Sequence, residues 1–337
     1  MSSEHESGPF GVTDLVSDGE ARERFWFGLR ATLLRSNPVL KTVRWVLDHD
    51  RILVTGEAGL GIGWMVIFLV APILYIVTLS FWKSAGAGVI VHQFTLANYQ
   101  AVLTKDVDLL SLHVGNLYLN ILWQSLKYGF LVTLVTLVVG YVPAYYLGRV
   151  VSRWKALLLL FVVLPFWVPL IIRYYAWILV LGNKGMLPTM LSVAGIQNDG
   201  FLYTEVAVIT GLVQVLLPYM ILPVYNSVEQ MDASLIESAK TMGAGPVRTF
   251  YEVTLPLTLP GISAGVLLVF ILSVGSFMAP ALLGGPSNFM VANLIDMTFG
   301  SPNWPLAGAM GVVYLVVLFG AISLFNRFVS LDEVFGE

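Results

Sequence analysis

The 337-residue sequence has no cysteine and only four histidines. Without thiols there is no disulfide framework, no cysteine nucleophile and no thiolate-held zinc or iron–sulfur centre. His5, His49, His92 and His113 form no close pair at metal-binding spacing, so no metal site is expected. Charge is also scarce: Asp, Glu, Lys and Arg make up 12% of the chain, against about 25% in soluble domains. A net charge of −3 gives no reason to expect nucleic acid. A phosphate-binding loop is missing too. Gly56-Glu-Ala-Gly59-Leu-Gly61-Ile-Gly63 is glycine-rich, but no Lys-Ser/Thr follows to reach the outer phosphates. No ATP hydrolysis, catalytic residue or bound cofactor is therefore expected of this chain itself.

What the sequence has is apolar length. Hydrophobic residues make up 57% and the mean hydropathy is +0.80. A spanning helix needs about 20 mainly apolar residues. Six segments qualify: Gly59–Trp82, Ile121–Leu147, Ala156–Leu181, Glu205–Tyr225, Leu257–Ala281 and Leu306–Phe328. Each is too long and too evenly apolar for a barrel strand, so the expected fold is an all-α integral membrane domain over residues 59–330.

Lysine and arginine give the orientation. Thirteen lie before the first span, between spans two and three, between spans four and five, and after the last span. Only Lys83, Lys105 and Lys184 lie in the other loops. Both termini are thus expected in the cytoplasm, as an even number of spans requires. No secretory leader is expected, since the first apolar run begins near Gly59. Residues 1–58 read as a cytoplasmic extension, polar and disordered at first. Phe25, Trp26, Leu29 and Leu33 then recur at helical spacing among arginines, a pattern that suits an interfacial helix or a packed elbow. Residues 331–337 form a short cytoplasmic tail. The first outer loop carries Phe94-Thr-Leu-Ala-Asn98-Tyr99 and reads as structured, while turn residues dominate the last outer loop over 282–305.

The most informative loop lies between spans four and five. It reads Met231-Asp-Ala-Ser234-Leu-Ile-Glu237-Ser-Ala239-Lys-Thr-Met-Gly243-Ala-Gly-Pro246. Ser234 three residues before Glu237 predicts a capping box at a helix start. Gly243 predicts a left-handed stop, and Pro246 the first turn of a second short helix. The small apolar face suits a partner's groove; a hairpin packed on its own bundle fits equally well.

Glu237-Ser238-Ala239, three residues, Gly243, nine residues and Val253-Thr-Leu255-Pro256 together resemble the EAA loop of binding-protein-dependent ABC importer permeases. Ser238 stands where that pattern has alanine, and Val253 where it has isoleucine. The resemblance covers about residues 60–330. It implies the six-helix type I permease fold, in which Glu237, Ser238, Ala239, Gly243, Leu255 and Pro256 form the coupling element that docks into a cytoplasmic ATPase. It further implies two ATPase subunits holding ATP and Mg, a second related permease subunit and an extracytoplasmic solute-binding protein, assembled in a bacterial inner membrane. Pro165-Phe-Trp167-Val-Pro-Leu-Ile-Ile-Arg173-Tyr-Tyr-Ala-Trp177, Gly275-Ser-Phe277-Met-Ala-Pro280-Ala-Leu-Leu-Gly284-Gly285 and Asn303-Trp304-Pro305-Leu306 are similar to spermidine/putrescine-type permeases. That branch implies a small nitrogen-containing solute, either a polyamine-like cation or an opine- or amino-acid-like zwitterion.

Ionisable groups within spans are costly and count as functional candidates. Arg173 either lines the pathway or ties helix backbones together; Lys127 and Glu205 suit span ends. Asp296 faces a cationic solute if the last outer loop re-enters the membrane. Trp167, Tyr174, Trp177 and Phe277 are candidates for holding an ammonium by cation–π attraction, and an interfacial aromatic belt explains them as well. Pro165, Pro169, Pro218 and other prolines predict kinked spans, and Gly261-Ile-Ser-Ala-Gly265 a close helix contact. An integral-membrane enzyme would need clustered acid–base groups, and an ion-coupled secondary transporter would need paired carboxylates or inverted repeats. The sequence shows neither pattern.

Overall fold

The computed structural model describes residue 59 and residues 61–86, 88–104, 117–196 and 200–328. The expected extension over 1–58, the tail over 331–337 and residues 105–116 of the first outer loop lie outside the described residues. The chain divides into two units, Met1–Leu74 and Tyr75–Glu337. In the first, the described residues form an exposed apolar helix with a π turn at Val66–Val70.

Among the described residues, five helices are long and apolar enough to cross a membrane: Gly61–Ser80, Leu117–Arg149, Glu205–Gln230, Pro246–Val274 and Trp304–Phe325. A bent pair, Lys155–Trp167 and Leu170–Val193, supplies the third span in chain order and turns by 94° at its break. The expected kink is therefore a complete interruption. Pro165 sits in a 3-10 turn at Leu164–Trp167, and Pro169 is the extended N-cap of the next helix. Prolines remove helix donors and clash with the preceding turn. Span five begins at Pro246 rather than Leu257, because the expected second short helix runs on into it through a π turn at Phe250–Thr254.

Contacts fix the direction of the chain. Lys127 of span two pairs with Glu205 at the start of span four. At the other end, Arg149 closes span two and bonds to the Met231 carbonyl just past span four. Spans two and four therefore run parallel, so the broken segment between them carries the chain across once. Span five runs antiparallel to span four: Gly265 approaches Met220 so closely that an added Cβ would lie 2.7 Å from its sulfur. Gly261 packs likewise on the Pro223 carbonyl, which makes the expected small-residue face a real helix contact.

The main core joins spans two, four and five through Tyr128, Val132, Leu212, Leu216, Met220, Val224 and Val269. A second cluster, with Val102, Tyr118, Leu122, Leu294 and Met310, lies toward the end opposite the 231–245 loop. Buried hydroxyls in the spans bond back to their own helix, as Ser125 does to Ile121 and Thr133 to Gly129. Outward faces carry exposed apolar residues such as Phe130, Val142, Val316 and Phe319, as a lipid-facing surface requires.

The described part of the first connecting loop, up to residue 104, is structured as expected. Strands Lys83–Ser84 and Ile90–Val91 pair antiparallel, and a helix follows at Ala97–Thr104. Asn98 donates to the Ser80 and Trp82 carbonyls at 2.8 Å each, closing the end of span one. The last loop departs from expectation. Turns occupy Pro280–Gly284 and Pro286–Asn288, but Val291–Gly300 is a helix. Val291, Leu294 and Thr298 recur at helical spacing and are buried. Buried Asn293 accepts from the Met290 amide and donates to the Phe277 carbonyl at 3.0 Å.

Candidate functional site

The loop between spans four and five folds into one nine-residue helix, Ala233–Thr241. Its cap is not the expected Ser234–Glu237 box. Asp232 is the N-cap, and its carboxylate accepts from the Ser234 amide at 2.9 Å. The bonds from Ser234 hold the Asp232 carboxyl below the usual carboxylate range. Ser234 misses the role because the helix already begins at Ala233, which puts Glu237 in the second turn, beyond the orphan amides.

The C-terminal end matches expectation. Gly243 has φ +85°. The Gly243 amide donates to the Lys240 carbonyl and the Ala244 amide to the Ala239 carbonyl, each at 3.0 Å. That pair of bonds is a Schellman motif. A Cβ added at Gly243 would meet nothing within 4 Å, so glycine is favoured there by its backbone angle alone. Gly245 then caps Pro246, which occupies the first helical position.

This short element has two faces. Ala239 is buried, and Ile236 lines a cavity of about 600 Å³ with Tyr141, Tyr145, Lys240 and Phe250. The other face is open: Leu235, Met242 (81% exposed), Val247 and Tyr251 all reach solvent. Glu237 and Ser238 are exposed beside them. Leu255 is half-buried and Pro256 exposed where span five leaves its π turn. The six expected coupling residues thus lie within one stretch of chain, 237–256, which also carries the exposed Met242, Val247 and Tyr251.

A second cavity, of about 620 Å³, lies where span three breaks. It brings together Arg173, Tyr174 and Phe277 with Phe166, Tyr219 and Ser276. Tyr174 is 1% exposed. Arg173 Nε and Nη1 are buried with no hydrogen-bond partner. No carboxylate lines this cavity. The other candidates lie elsewhere. Trp167 is 84% exposed, Trp177 packs half-buried against the main core, and Asp296 is exposed on the Val291–Gly300 helix. Tyr219 and Ser276 gave no signal in the sequence, since single polar groups in apolar spans have no periodicity to mark them. Lys127 and Glu205 form an exposed ion pair at 2.8 Å. Among the described residues no group of three or more His, Cys, Asp or Glu could hold a metal.

Comparison with known proteins gives the context. Residues 137–331 match the family described as binding-protein-dependent transport system inner membrane component. The chain is 37% identical over 279 residues to the spermidine/putrescine transport system permease protein PotB of Haemophilus influenzae, covering 80% of this chain and 94% of that one. Identity to PotB of Escherichia coli is 34%, covering 80% and 98%. Among solved structures, a chain of a bacterial ABC transporter involved in import of the acidic polysaccharide alginate superposes with TM-score 0.65 at 19% identity, covering 87% of this chain and all of that one. A chain of the alginate transporter in complex with alginate pentasaccharide-bound periplasmic protein gives TM-score 0.60 at 18% identity, covering 86% and 97%.

Proposed function

This chain belongs to the binding-protein-dependent transport system inner membrane components, and from that premise we propose that the loop Met231–Gly245 docks into an ATPase subunit and couples ATP hydrolysis to solute passage. The chain is the permease subunit of an ABC importer, an integral inner-membrane protein of type I permease fold. The observation that carries the docking reading is the open face of the loop helix. Leu235 on that helix and Met242 at its C-cap are exposed, as are Val247 and Tyr251 on the helical turns that follow, and the loop helix is capped at both ends. A preorganised apolar face of this size suits a groove in a soluble partner.

The assembly then has two ATPase subunits, which hold the ATP and Mg, a second related permease and an extracytoplasmic binding protein. A periplasmic protein accompanies the alginate relative. The charge bias of the loops supports a cytoplasmic 231–245 loop with both termini on the same side.

The solute is small and nitrogen-containing, a polyamine-like cation or an opine- or amino-acid-like zwitterion. The two PotB relatives, named for spermidine and putrescine, support this reading, as do the aromatic groups Phe166, Tyr174, Tyr219 and Phe277 around one cavity. Arg173 in the same lining repels a bare polycation, so such a solute would need counter-charge from Asp296 or the second permease. Buried donors without partners are costly, and Arg173 gains acceptors when a carboxylate-bearing solute or the second subunit meets it. The test is ATP hydrolysis by the purified transporter across polyamines, opines and amino-acid-like compounds, each presented on the binding protein. Stimulation by at least one nitrogen-containing compound is expected; stimulation by purely anionic compounds alone would overturn the solute reading.

A further inference from the structure

The loop helix hangs between spans four and five, and charged groups beside the turn joining spans two and three tie down its span-four anchor. Met231, where span four ends in extended conformation, is 8% exposed, and its carbonyl accepts from Arg149, the last residue of span two. Two residues earlier, Glu229 pairs with Lys155, the first residue of span three, at 2.6 Å. The Lys155 ammonium also lies 5.2 Å from the ring centre of Tyr225. Val228 fills the space beside Gly148, where a Cβ would collide with it. The last turn of span four is therefore gripped by two cations from the short turn joining spans two and three. At the start of span five the tie is aromatic: Phe250 packs edge-on against Tyr141 of span two with ring centres 5.8 Å apart, while Arg248 pairs with Glu252 of its own helix. Among the described residues, Lys155–Glu229 is the one ion pair that joins two elements at this end.

We infer that Arg149 and Lys155 make the turn between spans two and three a second arm of the coupling machinery, delivering displacement of the docked loop to span three. The inference rests on the docking reading above and extends it. The path is short and material. A pull on Ala233–Thr241 reaches Met231 and Glu229 directly, and Glu229 draws on Lys155. Lys155 begins the helix Lys155–Trp167, whose far end is the 94° break. Beyond that break lie Arg173 and Tyr174, in the lining of the second cavity. Movement at the loop thus arrives at a cavity lined by aromatic side chains. Lys155 and Glu229 are positioning residues here. Their side chains are 25% and 45% exposed, and ion pairs that open to water add little to static stability. Their loss should leave the fold intact and change only how displacement is shared.

The test uses the whole reconstituted transporter with its ATPase subunits and binding protein. Lys155→Glu and Glu229→Lys should each assemble and hydrolyse ATP at the unstimulated wild-type rate. Stimulation by loaded binding protein should fall by about fivefold or more, the range of an allosteric coupling term. The combined exchange restores the pair with reversed sign and should recover most of the stimulation. Where a charge reversal prevents assembly, the neutral pair Lys155→Gln with Glu229→Gln should show the same loss. Full stimulation in the single variants, or no recovery in the exchange, would overturn the second arm. Gly243→Val, measured beside them, separates the two readings. Its failure to uncouple would overturn docking by the loop, whereas uncoupling by Gly243→Val alone would overturn only the role of Lys155 and Glu229.

Discussion

Glu237 carries a charge that no described hydrogen bond or ion pair within the chain uses. Because Asp232 caps the helix, replacing Glu237 removes nothing the fold depends on, and any effect of Glu237→Lys must arise where the exposed carboxylate meets a partner. Residues of this kind are informative because structure and function separate cleanly in them. Asp296 is another. It is exposed on the Val291–Gly300 helix, whose other face is fixed by Asn293, Leu294 and Thr298. Asp296→Asn should therefore leave expression and assembly unchanged. If Asp296 supplies counter-charge to a cationic solute, the substitution should reduce uptake by about tenfold or more, in line with the loss of a hydrogen bond to a charged group. Uptake equal to wild type would remove Asp296 from the pathway.

Among the elements, the loop helix makes the sharpest prediction, because its two ends are held by different means. At Gly243 an added side chain has room but the backbone angle is adverse. Asparagine tolerates left-handed angles far better than valine, so Gly243→Asn should keep most of the coupled ATP hydrolysis. Gly243→Val should lose it, at a strain of about 1–3 kcal/mol. Equal loss in both would point to a steric clash with the partner instead of a broken Schellman turn. Much of this element was legible in the sequence, since a glycine stop and a proline start are local signals carried by single residues. The start of the helix was not: Asp232, Ser234 and Glu237 all suit a cap, and only the backbone decides which of them precedes the first helical residue. The spans were legible from apolar length. The size of the break at Pro165 and Pro169 was not, because two prolines predict interruption without an angle. The Val291–Gly300 helix was masked by the Gly, Pro and Asn around it. The cavity lining and the Arg149–Lys155 grip join residues far apart in sequence, and no local pattern reports such pairs.

At the scale of the whole molecule, spans two and four run parallel, which makes the broken third span a single crossing and places the 231–245 loop at the end opposite the Lys127–Glu205 pair. The docking proposal requires the 231–245 loop to face the cytoplasm and to be covered by an ATPase subunit, and Met242, 81% exposed at the end of the loop helix, is its most open apolar side chain. The native sequence has no cysteine, so Met242→Cys introduces the only thiol of this subunit. The most direct measurement is labelling of that thiol with a membrane-impermeant maleimide, in intact cells and in inverted membrane vesicles with and without the ATPase subunits. The account predicts no labelling from outside, ready labelling in inverted vesicles stripped of ATPase, and protection once the ATPase is restored. Labelling from outside the cell, or labelling from the cytoplasmic side that the ATPase does not protect, would contradict it.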